Sequence, residues 1–142
     1  MKIILLALFI ITAATAQAQS ATIGIGYTTK GFGMDAGYIH SSGIQLTAGY
    51  SVSVATTTSP NYTFLNAGYR LNITPRLSFT PTAGVSKYTV TVIQKTDNVI
   101  KSGFKPIYGL EVGKEAEYGS IFLSAGYCTV AYFGVGLRAF IK

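Results

Sequence analysis

Charge is scarce in this chain. Only 11% of its 142 residues are Asp, Glu, Lys or Arg, about half of what a water-soluble domain usually carries. The bases form no stripe interleaved with stacking aromatics, which argues against nucleic acid as a partner. Cys128 is the single cysteine, so no internal disulfide and no cysteine metal framework can be built. It reads as a small wall residue. His40 is the single histidine. No acid stands beside it, no serine sits in a nucleophile elbow, and no His/Cys/Asp/Glu cluster has ligand spacing. Catalysis, metal binding and cofactor binding therefore have no motif to rest on, and the chain reads as a non-enzyme. No segment carries the 3.6-residue stripe of an amphipathic helix, and the apolar run Ile3–Ile11 is too short to cross a bilayer as a helix.

That run has a different use. Lys2 precedes it, and Ala16-Gln17-Ala18 follows as a small-x-small cleavage site. Residues 1–18 thus read as a secretory signal peptide cut before Gln19, with no cysteine after the cut for lipid attachment. Residues 19–142, about 124 in all, make one domain.

What the domain has in abundance is alternation. In 44–53, Ile44, Leu46, Ala48, Tyr50 and Val52 occupy one parity; Gln45, Thr47, Gly49, Ser51 and Ser53 occupy the other. That is a strand's period of two. The tripeptide Ala-Gly-Tyr at 48–50 recurs at 36–38, 67–69 and 125–127, always with Gly on the opposite parity to Ala and Tyr. Eight such segments can be marked, at 21–29, 32–40, 44–54, 62–71, 77–92, 103–113, 119–129 and 130–141. Pro81, inside the fifth, predicts a bulge. The connections with reach are 55–61 and the longest, 93–102; residues 72–76 and 114–118 read as turns.

The polar parity is mostly Gly, Ser and Thr, an unusual surface for water but a suitable lining for a narrow lumen. The other parity is Ile, Leu, Val, Phe, Ala and Tyr, as lipid contact requires. The expected fold is an eight-stranded antiparallel up-and-down transmembrane β-barrel, closed because no strand edge can stay unpaired in hydrocarbon. With both termini periplasmic, Tyr27, Tyr50 and Tyr127 fall near the outer interface and Tyr38 and Tyr69 near the inner one, supplying two aromatic girdles. The chain resembles the small eight-stranded outer-membrane barrels of the opacity-protein and OmpX-like kind, and the outer-membrane β-barrel domain family common in Bacteroidetes-type bacteria. The resemblance rests on this pattern over 19–142. It implies residence in the bacterial outer membrane and delivery by the barrel-assembly machinery, which commonly reads a terminal aromatic where Ile141 stands here.

Asp35, Arg70, Glu111 and Arg138 share the inward parity. Charges in a packed lumen must be paired, and Arg70, Glu111 and Arg138 each fall seven to eight residues into an even strand. Glu111 is therefore expected between the two arginines, plugging the barrel. Lys30, Lys87, Lys95 and Lys101 gather near the outer end; Lys30, Lys95 and Lys101 are expected to contact anionic lipid, including lipopolysaccharide, or an unidentified surface partner. Three functions remain open: a structural or surface-interaction barrel, a narrow pore, and an outer-membrane lipid-modifying enzyme.

Overall fold

A computed structural model describes residues 20–29, 31–53, 60–93, 98–128 and 130–141. The signal peptide, Lys30 and Lys95 lie outside the described residues. The strands are β1 Ser20–Thr28, β2 Gly31–Ile39, β3 Ile44–Val52, β4 Asn61–Tyr69, β5 Leu71–Thr74, β6 Leu77–Ile93, β7 Asn98–Glu115, β8 Gly119–Cys128 and β9 Val130–Ile141. Sequence neighbours pair antiparallel except β4 and β5, which both pair with β6, and β1 pairs with β9. β4 and β5 are two halves of one wall strand. The described residues thus form a closed, eight-stranded, up-and-down barrel with no open edge in its wall.

The ladders also fix the stagger. A walk through paired residues from Glu115 passes Ser120, Arg138, Gly24, Asp35, Gly49, Phe64 and Ser86, and returns to β7 at Lys105, ten residues from its start. The strands are therefore strongly tilted, as closure of so few strands demands.

Burial is inverted relative to a water-soluble domain. Thr22, Gln45, Thr47, Ser78, Thr80, Ser86, Ser120 and Arg138 are buried, whereas Ile39, Phe122 and Cys128 are the buried apolar side chains among the described residues. Ile23, Ile25, Leu65, Leu123, Val135 and Leu137 stand on the outside, 43–61% exposed. An outer face this apolar is incompatible with water and matches hydrocarbon. The parity expected from the sequence holds along the barrel wall, except in the short, wholly exposed β5.

Three local expectations are corrected. Pro81 causes no bulge: the β6–β7 ladder runs straight through Pro81↔Leu110. On its other side the register of Gly68↔Thr82 and Leu71↔Phe79 is the same, with only Tyr69 and Arg70 skipped. Proline's missing N–H interrupts the ladder without shifting it; Arg70 N–H faces β3 and donates to Gly43 O at 2.7 Å, continuing the β3–β4 register. The bulge falls between Asn72 and Thr74. Second, 93–102 is not the longest loop. β6 and β7 pair as far as Ile93↔Asn98, so most of that stretch is hairpin; its Thr and Val on β6 favour strand. Third, the charged turn expected at 114–118 shrinks, because β7 continues to Glu115 and only Ala116–Tyr118 turn the chain.

The two ends differ. At one end the connections are short: Gly43, at φ +92°, closes a turn in which its N–H donates to His40 O at 2.9 Å. A side chain there would be strained, because φ is positive, and would also crowd Arg70 O. β1 begins and β9 ends at this end. The β6–β7 hairpin projects from the other.

Candidate functional site

The lumen holds the charged groups, and the pleat puts them there. Asp35 on β2, Glu111 and Glu115 on β7, Arg138 on β9 and Arg70 at the β4–β5 junction all point inward. They form two clusters rather than one.

The first cluster is a knot at Arg138. Its guanidinium makes a bidentate fork with Glu111: Nη1 donates to Oε1, and Nη2 donates to Oε2 at 3.0 Å. Its Nε lies 3.6 Å from Asp35 Oδ1, within ion-pair reach but beyond a hydrogen bond. The guanidinium carbon lies 4.5 Å above the centroid of Phe122. The Arg138 side chain is 4% exposed. Glycine makes room for the knot, since a methyl group at Gly24 would sit 2.6 Å from Asp35 Oδ2.

The second cluster pairs Arg70 with Glu115. Ser78 Oγ donates to Glu115 Oε1 at 2.8 Å, and the Arg70 guanidinium lies 5.4 Å from the Phe140 centroid. The expectation that Glu111 bridges Arg70 and Arg138 is therefore corrected. Residue counts from each strand's start do not give depth in a barrel staggered by ten residues; Glu115, placed by parity alone, was available to Arg70 once β7 extended past Gly113. The charge balance also inverts: instead of two arginines sharing one glutamate, one arginine faces two carboxylates.

Beyond the knot, toward the hairpin end, lies a cavity of about 140 Å³ whose lining includes Asp35, Asn66, Ser86, Tyr62, Tyr132 and Cys128. Asp35 Oδ1, Asn66 Oδ1 and Ser86 Oγ are buried and have no protein hydrogen-bond partner. The lining mixes apolar and polar groups, and a space of this size accommodates waters that would satisfy such atoms. Phe64 and Phe122 also turn inward and narrow the lumen; their inward parity was legible, but their part in closing it was not.

Other expected residues are dispersed. His40 sits in the β2–β3 turn, where Nδ1 accepts from Ser42 N–H at 3.1 Å and lies 2.8 Å from Ser42 Oγ. Among the described residues no three His, Cys, Asp or Glu side chains are grouped to hold a metal ion. Tyr27, Tyr50 and Tyr127 lie outward toward the hairpin end, and Tyr69 and the half-buried Tyr38 toward the short-turn end. Lys101 is exposed on the projecting hairpin.

No family model and no curated protein matches the chain. Solved structures do. The N-terminal β-barrel domain of Pseudomonas aeruginosa OprF superposes with a TM-score of 0.70 at 18% identity, over 87% of this chain and 98% of that one. The attachment invasion locus protein Ail of Yersinia pestis gives 0.63 at 13% identity, over 86% and 97%. Neisserial surface protein A gives 0.58 at 12% identity, over 84% and 92%. Closed eight-stranded topology, an apolar outside, a polar inside and these likenesses converge: the chain has the fold of the small eight-stranded outer-membrane β-barrels.

Proposed function

We propose that this chain is an integral barrel of the bacterial outer membrane with a closed lumen, and that it acts structurally or through its outer rim rather than as a channel. The observation that carries the reading is the Arg138 knot. A bidentate fork to Glu111, a second carboxylate at 3.6 Å and a phenyl ring against the guanidinium, gathered inside a narrow barrel, support a filled lumen. The orientation proposed has both termini periplasmic, supported by the short turns at the end where β1 begins and β9 finishes and by the long hairpin opposite. No grouping of side chains in the described residues supports catalysis.

The narrow pore is the competing reading, and the cavity beyond the knot, with its unpartnered Asn66 and Ser86 oxygens, favours it. Conductance across a planar bilayer separates the two. Refolded wild-type protein is expected to show no steady current. A stable, ohmic channel whose ion selectivity changes with Glu111→Gln would reject the closed lumen.

A further inference from the structure

The β6–β7 hairpin outruns its neighbours. β4 leaves β6 at Asn61↔Thr89 and β8 leaves β7 at Tyr108↔Tyr127, while the hairpin ladder continues to Ile93↔Asn98. Directly opposed residues of an antiparallel pair share a face. The face continuous with the apolar belt therefore reads, going outward, Ala83/Tyr108, Val85/Pro106, Lys87/Phe104, Thr89/Ser102 and Thr91/Ile100.

The composition of this face changes one step beyond the belt. Val85 and Tyr108 are belt residues. At the next outward-facing pair, Lys87 Nζ stands 6.0 Å from the centroid of the Phe104 ring. Phe104 and Ile100 are 71% and 69% exposed, more than the belt residues beneath them. Lys87 makes no salt bridge among the described residues. Lys101 and Lys105 add positive charge from the ribbon's other face, and no described residue of the hairpin from Lys87 to Ile107 is acidic. A cation, a flat ring and an aliphatic side chain are thus presented together, immediately above a lipid-contact surface.

We propose that the Lys87–Phe104 face docks the phosphorylated sugar headgroup of an outer-leaflet glycolipid. Lys87 donates to a phosphate oxygen, a charge-assisted contact. The Phe104 ring packs against the C–H face of a sugar, and Ile100 extends the apolar contact outward. Continuity with the belt selects a lipid as the occupant: an acyl chain lying against Val85 and Tyr108 brings its own headgroup to the height of Lys87. This inference rests on the membrane reading and deepens its outer-rim role by naming what the rim holds.

The test counts glycolipids retained by the full-length, refolded protein in native mass spectrometry. The lipids are bisphosphorylated lipid A and the same lipid stripped of phosphate, with inorganic phosphate as competitor. Wild type is expected to retain the phosphorylated lipid and to discriminate against the stripped one. Lys87→Gln should lower retention about fivefold, the effect of one basic residue at an anionic surface, and Phe104→Ser should lower retention of both lipids. Equal retention of the two lipids by wild type would overturn the proposal without requiring any variant to fold. So would wild-type retention by both folded variants, or displacement by inorganic phosphate, which would mark a site for a free anion. A barrel that folds in lipid without conducting, yet shows no preference for the phosphorylated lipid, would refute this inference and leave the closed-lumen reading standing.

Discussion

The lumen contains the same unit twice, with different charge balance. Each copy sets an arginine against a glutamate of β7 and near a phenyl ring: Arg138 with Glu111 and Phe122, Arg70 with Glu115 and Phe140. In the Arg70 unit the charges are one to one, and Ser78 gives Glu115 a second donor at 2.8 Å. In the Arg138 unit a further carboxylate, Asp35, faces the same guanidinium, so acids outnumber bases two to one. The side chains of Arg138 and Arg70 are 4% and 11% exposed. A balanced pair near the short-turn end is expected to tolerate the loss of its cation better than a knot that depends on one cation.

Three substitutions probe that difference through urea unfolding of the barrel in lipid vesicles. Arg138→Met should have the largest effect, because it strands two buried carboxylates together. Removing one partner of a buried ion pair costs about 3–5 kcal/mol, and the stacking on Phe122 is lost as well. Arg70→Met should cost less, about 1–2 kcal/mol, since Glu115 keeps the Ser78 hydroxyl and leaving a carboxylate partly satisfied is the milder penalty. Equal losses in the two variants would erase the distinction between the sites. Asp35→Asn should be smallest, within about 1 kcal/mol of wild type and of either sign, because it removes the surplus charge while Glu111 retains its fork. A loss as large as that of Arg138→Met would mean that Asp35, not Glu111, is the essential partner.

The wall was legible in the sequence because its rule is local. Burial of Thr47 and Thr80 and exposure of Leu46 and Leu123 follow from parity, which depends only on each residue's neighbours. Partners across the lumen are not local. They depend on tilt and stagger, which are properties of the closed sheet. That is why parity places Arg138, Glu111 and Asp35 inside but cannot tell that Arg70 meets Glu115 rather than Glu111. The hairpin is hard to see in the sequence for a related reason. Polar residues such as Lys101 and Ser102 resemble a loop when no membrane covers them, although the β-branched run Thr89–Ile93 on the opposite strand already favoured extended pairing. Pro81 misled in the other direction: a missing N–H predicts a break in hydrogen bonding, and the break came without a change of register.

The central claim is that Arg138 is needed because two carboxylates face it. The direct measurement is the cost of Arg138→Met in the native background and again in an Asp35→Asn, Glu111→Gln background, with unfolding free energies taken in the same vesicles. If the claim holds, most of the cost seen in the native barrel disappears once both carboxylates are neutral, since no charge is then left unpaired. An undiminished cost in the neutral background would show that Arg138 serves by filling space, and would contradict the account.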